Sequence, residues 1–208
     1  MLPAQAVDRS TLDLITGLQS KKYLEGFYLV GGTALALLLG HRRSLDIDLF
    51  ADSDFDTLLL QEQLFHDFQF SSLFSAKNTL KGSIRNIKVD FIAHRYPLVA
   101  EPVVERGINL LSEMDIIAMK LNSIANSGQR AKDFIDIYFL LRKYKLREMI
   151  SFYRQKYSLN NEMVVVKSLI WFEDAGLSDW PVMILEPRLN WAKVTTSLKK
   201  AVAEYLKS

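Results

Sequence analysis

Gly31-Gly32-Thr33 and Asp46-Ile47-Asp48 are the residues whose types and spacing are best suited to chemistry. In an extended strand, residues two apart face the same side, about 7 Å apart along the backbone. Asp46 and Asp48 are therefore expected to point together, with Leu45, Ile47 and Leu49 directed into a core. Two carboxylates about 5 Å apart repel by roughly 3 kcal/mol at an effective dielectric near 20. A divalent cation turns that cost into binding, and Mg²⁺ suits a few carboxylates plus phosphate oxygens. Gly31-Gly32 follows the apolar run Phe27–Val30 and precedes a helical stretch. Glycine admits close backbone approach, and free amides at a helix start attract phosphate. The functional reading places the phosphates of an NTP at Gly31, Gly32 and the Thr33 hydroxyl, with the metal on Asp46 and Asp48. The bland readings are an exposed acidic strand and a tight strand-to-helix turn.

A third acid, Asp90, stands between apolar neighbours in Lys88-Val89-Asp90-Phe91-Ile92. On a strand beside the first it could bind a second metal and act as general base on an acceptor hydroxyl. In two-metal sites one ion activates the attacking oxygen and the other steadies the leaving group. The alternative is an outward Asp on a half-exposed sheet. Lys120 shares an arc of about 140° with Ile116, Ile117, Leu121 and Ile124 on a helical wheel. A buried ammonium costs several kcal/mol unless phosphate or carboxylate pairs with it. Otherwise the lysine lifts its head to water. Asp133 fits the first turn of the next helix, where an acid favours the dipole; its other role is to hold Lys120 or Arg42. Asp115, at capping spacing from Ser112, reads as a helix cap.

These residues need elements to carry them. The periodicity predicts helices over 8–22, 33–39 and 55–68, with Ser10-x-x-Asp13 and Ser53-x-x-Asp56 as caps. Strands are predicted at 27–30, 45–50, 70–76, 80–85, 87–94 and 108–111, with turns near Asn78, Gly82 and Asn86. From Ser112 helical spacing dominates: 112–126, 131–144, 147–157, 161–173 and 189–206. The expected architecture is α+β, with an α/β core over 1–111 and a helical region over 112–208.

Composition limits the alternatives. The chain has 208 residues, 49% of them apolar, and no cysteine, so thiolate nucleophiles and Cys-type zinc sites are excluded. Its 26 basic and 24 acidic residues leave a net charge of +2, which is no nucleic-acid footprint by itself. The basic clusters Gln129–Lys132 and Arg142–Arg147 read as solvated helix faces. No apolar run approaches a membrane span, and the first residues do not resemble a signal peptide. The expected setting is cytoplasmic.

With those residues in view, Phe27–Phe50, FYLVGGTALALLLGHRRSLDIDLF, resembles the first motif of the AbiEii/AbiGii-type toxin nucleotidyltransferases: Gly-Gly-Ser/Thr, an apolar helix, then Arg-x-Ser/Thr-x-Asp-x-Asp. Arg42, Ser44, Asp46 and Asp48 match its second half. Lys120, Arg130, Asp133 and Asp136 fit a later Lys, basic stretch and Asp-x-x-Asp, and Asp90 resembles the third strand acid. The resemblance implies a polymerase-β-like nucleotidyltransferase core. It implies catalytic Asp46, Asp48, Asp90, Lys120 and Asp133, and NTP binding by Gly31, Gly32, Thr33, Arg42, Ser44 and Lys120. Two Mg²⁺ ions on Asp46, Asp48 and Asp90, an NTP substrate, a tRNA acceptor and a cognate antitoxin are implied with them. The competing readings are the same transferase with a small-molecule acceptor, and a non-catalytic NTP-binding module.

Overall fold

A computed structural model describes residues 6–105, 107–158 and 161–207. Its order is α1 (Arg9–Gln19), β1 (Phe27–Val30), α2 (Gly31–Leu39), β2 (Ile47–Ala51), α3 (Thr57–Phe68), β3 (Ser71–Ala76), β4 (Thr79–Ile84), β5 (Ile87–Ala93), β6 (Val103–Glu105) and β7 (Ile108–Leu110). There follow α4 (Glu113–Asn126), α5 (Ala131–Leu140), α6 (Leu146–Tyr157), α7 (Met163–Ser168) and α8 (Trp191–Leu206). The chain is α+β, as its patterning implies. It divides into two compact units: 1–39 with 44–96 and 102–111, and 40–43 with 97–101 and 112–208.

All seven strands belong to the first unit, in the order β3-β4-β5-β2-β1-β7-β6. β2 runs parallel to β5, β1 parallel to β7, and the other neighbours are antiparallel. Alternation along β2 and β4 divides the sheet into two faces. Leu29, Ile47, Leu49, Leu80, Val89 and Phe91 are fully buried on one. Phe27, Phe55, Phe70 and Phe91 pack edge to face there, with centroids 5.2–6.1 Å apart, and burial of such rings dominates core energetics. On the other face Asp48, Phe50, Thr79, Lys81 and Ser83 are half-buried.

Several local expectations change. Asp8, not Ser10, caps α1, accepting from the Thr11 amide. Asp56 caps α3, accepting from Leu58 and Leu59. Asn78 and the Arg85-Asn86 pair turn with positive φ, but Gly82 lies within β4. Phe70 packs where its side chain would be, so a Cβ would stand 2.5 Å from the Phe70 ring and 2.2 Å from the Ser71 carbonyl. In the second unit α4 packs against α5, α6 and α7, and α8 against α5 and α6. The helix expected over 131–144 stops at Leu140, and that over 161–173 is confined to Met163–Ser168; residue 160 and its predecessor lie outside the described residues. The basic residues Arg142, Lys143, Lys145 and Arg147 are exposed, as a solvated face requires.

The contact at Gly82 gives a direct test. Gly82→Ala forces Phe70 or the β3 backbone to move and is expected to destabilise by about 1–3 kcal/mol, read as a lower urea midpoint.

Candidate active site

The acids meet through the strand register. β2 and β5 pair so that Asp48 is directly opposite Asp90, on the half-open face. On the far side of β5, Lys81 of β4 is directly opposite Asp90. Lys88 precedes Asp90 by one two-residue step and shares its face. The ammonium groups of Lys88 and Lys81 lie 3.3 and 3.9 Å from Asp90 Oδ2. Asp90 itself is only 3% exposed, and its Oδ1 is buried with no hydrogen-bond partner among the described residues. An unsatisfied buried carboxylate oxygen costs free energy and is suited to receive a cation or a proton.

Asp46 lies differently from the expectation. The strand begins at Ile47, so Asp46 and Leu45 precede it in irregular backbone, and Leu45 is 57% exposed instead of core-facing. A side-chain bond sets this entry: the buried Thr33 hydroxyl reaches the Asp46 carbonyl and lies 2.9 Å from the Ser44 hydroxyl. Thr33 thus spends its hydrogen bonds within the protein, tying α2 to the segment that carries Asp46. Gly31 opens α2 with φ +71°, and a Cβ there would stand 2.6 Å from Asp48 Oδ2. Only glycine allows the helix start this close to the carboxylate.

Hard carboxylate oxygens in adjacent register, one of them unpartnered, fit a divalent cation. Among the described residues, however, no three acidic or histidine side chains surround a common point. Asp48 and Asp90 are register partners, and Asp46, exposed, immediately precedes β2.

The second unit holds the remaining candidates in one buried cluster. Lys120 is 6% exposed, and its ammonium lies 2.6 Å from Asp133 Oδ1 and 2.8 Å from Asp136 Oδ2. It is paired, not lifted to water. Arg42, 2% exposed, grips Asp136 through Nε at 2.7 Å and Nη2 at 3.0 Å. Asp133 also accepts from Ser123 and Arg130. Desolvation opposes the Lys120 ammonium, but Asp133 and Asp136 outweigh it and raise its pKa. Desolvation likewise opposes the Asp136 carboxylate, and Arg42 and Lys120 hold it well below the ordinary range. Burial, above all, lowers the pKa of His41, whose Nε2–H donates to Asp136 at 2.8 Å. For Lys120 and Asp136 Coulomb attraction at short range outweighs burial, whereas for His41 burial outweighs the attraction of Asp136.

Three contributions escape sequence reading. Lys88 is visible in the alternation with Asp90, whereas Lys81 requires the β4–β5 register. Asp115 does more than cap α4: it is fully buried and accepts from Ser112, the Val99 and Ala100 amides, and Lys156. Lys156, which is 1% exposed, also donates to the Pro97 carbonyl.

A glycine-opened helix thus stands beside one of two paired strand acids, on a mixed sheet followed by helices. The family model of the AbiEii nucleotidyl transferase toxins of type IV toxin–antitoxin systems matches residues 13–203, and the chain belongs to that family. An uncharacterized protein of Aquifex aeolicus is 36% identical over 188 residues, 88% of this chain and 89% of its own. Two solved structures share the fold at 15% identity. One is a putative nucleotidyltransferase from Helicobacter pylori (TM-score 0.59, 96% of each chain covered). The other is MenT4, a nucleotidyltransferase toxin of Mycobacterium tuberculosis (TM-score 0.58, 94% of this chain and 85% of that one). No described helix is long and apolar enough to cross a membrane.

The buried cluster generates a pH-dependent prediction. A carboxyl pKa depressed by folding contributes stability above its unfolded value, near 4, and that contribution is lost as pH falls below it. Asp136→Asn leaves Arg42 and Lys120 short of a partner. It should cost about 3–5 kcal/mol at pH 7, with the difference from wild type narrowing below about pH 4. Denaturant unfolding at both pH values measures it.

Proposed function

We propose that the protein transfers a nucleoside monophosphate from an NTP to the 3′-terminal hydroxyl of tRNA, in a Mg²⁺-dependent reaction restrained in the cell by a cognate antitoxin. The observation carrying this reading is the β2–β5 register, which sets Asp48 beside an Asp90 whose Oδ1 is buried and unpartnered. Asp48 and Asp90 would hold the metal, with exposed Asp46 adding its carboxylate on binding. When bound, the metal supplies positive charge to the phosphates and acidifies the attacking hydroxyl.

The chain's own residues do the rest. Gly31 and Gly32 bring the start of α2 to the triphosphate, where helix amides favour negative charge. Thr33 and Ser44 fix the segment bearing Asp46. The acceptor oxygen bonds to the α-phosphorus, the bond to pyrophosphate breaks, and the hydroxyl proton passes to Asp90. Lys81 and Lys88 balance the charge of Asp90 before substrate arrives. Arg42, Lys120 and Asp133 are committed to one another and to Asp136, so their role in this reading is to fix the backbone that bears them. Family membership supports the transferase class; the nearness of Asp48 and Asp90 supports the metal.

Incubation with each α-³²P-labelled NTP, Mg²⁺ and total RNA tests the proposal. The expected result is label in tRNA with wild type, and at least a thousandfold less with Asp48→Asn, whose loss of a carboxylate at a half-open site should leave the fold intact. Equal labelling by Asp48→Asn would sink the reading. Label in small hydroxylated compounds instead of RNA would replace the acceptor.

A further inference from the structure

The half-open face of the sheet is ordered in rows. One row across four strands is Lys81, Asp90, Asp48 and Val30. The next, one two-residue step on, is Thr79, Ile92, Phe50 and Tyr28. Asp90, Ile92 and His94 alternate along one strand direction, so His94 continues this face beyond the second row. The Phe50 and His94 rings lie 5.5 Å apart with planes 31° apart, and His94 and Tyr96 lie 4.7 Å apart with planes 49° apart. Phe50 and His94 are half-buried and Tyr96 is 47% exposed.

We infer that Phe50, His94 and Tyr96 form a stacking platform for the single-stranded 3′ end of an RNA acceptor. The inference rests on the transferase reading above for the identity of the acceptor, and on the geometry of this face for the platform. Aromatic side chains accept any base because every base has a π-face, and single-stranded RNA is recognised largely through such stacking. Phe50 is about 7 Å from Asp48 along β2, so a base seated on it brings its own ribose toward the acids. Charge favours nucleic acid over an apolar protein segment once the acids hold a cation: Lys81 and Lys88, 3.9 and 3.3 Å from Asp90 Oδ2 and 43% and 56% exposed at their side chains, would then be released toward phosphate.

The test uses the full chain and an oligoribonucleotide of about eight nucleotides carrying 2-aminopurine at its 3′ end, with an abasic control. Stacking quenches the fluorophore, so binding is read without turnover. Tyr96→Ala and His94→Ala are expected to weaken binding about tenfold and abolish quenching. Tyr96→Phe should retain both, and the abasic RNA should bind wild type as weakly as the alanine variants bind the intact one. In the transfer assay the same variants should raise KM for RNA and leave KM for NTP unchanged. Unchanged affinity and quenching in both alanine variants would overturn the platform, even if wild type labels tRNA normally. A rise in KM for NTP alone would also overturn it, by assigning the rings to the nucleotide donor. Quenching that depends on Tyr96 in a protein that labels no RNA would uphold the platform and remove the transferase reading instead.

Discussion

The parallel pairing of β2 with β5 is the constraint on which the site depends. It sets Asp48 directly opposite Asp90, two acids on one face of the sheet. The sheet tolerates it because the opposite side of the same residues is so well buried. Ile47, Leu49, Val89 and Phe91 are fully covered, and burial of each such side chain is worth about 1.5–3 kcal/mol. A register slip of one residue would expose that apolar set and bury the acids. The core therefore fixes the chemistry: Asp48 cannot leave Asp90 without dismantling the layer beneath it.

Charge is handled in two contrasting ways. In the second unit, Lys120, Arg42, Asp133 and Asp136 neutralise one another at 2.6–3.0 Å with almost no solvent. Removing a single partner from such a group is costly because it strands the rest. Around Asp90 the compensation is looser. Lys81 and Lys88 are half-exposed, approach only Oδ2, and leave Oδ1 unpartnered. Exposed lysine pairs of this kind are weak and easily exchanged. The first cluster is closed on itself, whereas the second leaves one carboxylate oxygen without a partner among the described residues.

Much of this was legible in the sequence, for identifiable reasons. Period-2 alternation located β2 and β5, and turn residues bounded β4. The apolar wheel around Lys120 required a partner, and Asp133 and Asp136 provide it. The motif from Gly31 to Asp48 led to the family that the whole-chain comparison confirms. What was illegible is what register and long-range packing decide. Nothing local shows that β2 pairs with β5, that Lys81 faces Asp90, or that Asp136 gathers Arg42, Lys120 and His41. Leu45 looked like a core residue because the alternation continues one step past the strand. The bonds of the Thr33 hydroxyl to Ser44 and the Asp46 carbonyl are tertiary and could not be read from the motif. Gly82 looked like a turn because the ring of Phe70 above it cannot be seen in sequence.

The central proposal is that Asp48 and Asp90, register partners on one face of the sheet, would together hold a divalent cation. Thermal unfolding of wild type and Asp48→Asn, with and without Mg²⁺, tests it most directly. The account predicts that Asp48→Asn stays folded without metal, since residue 48 is half-buried on the open face of the sheet. It further predicts that Mg²⁺ raises the Tm of wild type and leaves that of the variant unchanged. Equal stabilisation of both proteins by Mg²⁺ would contradict it.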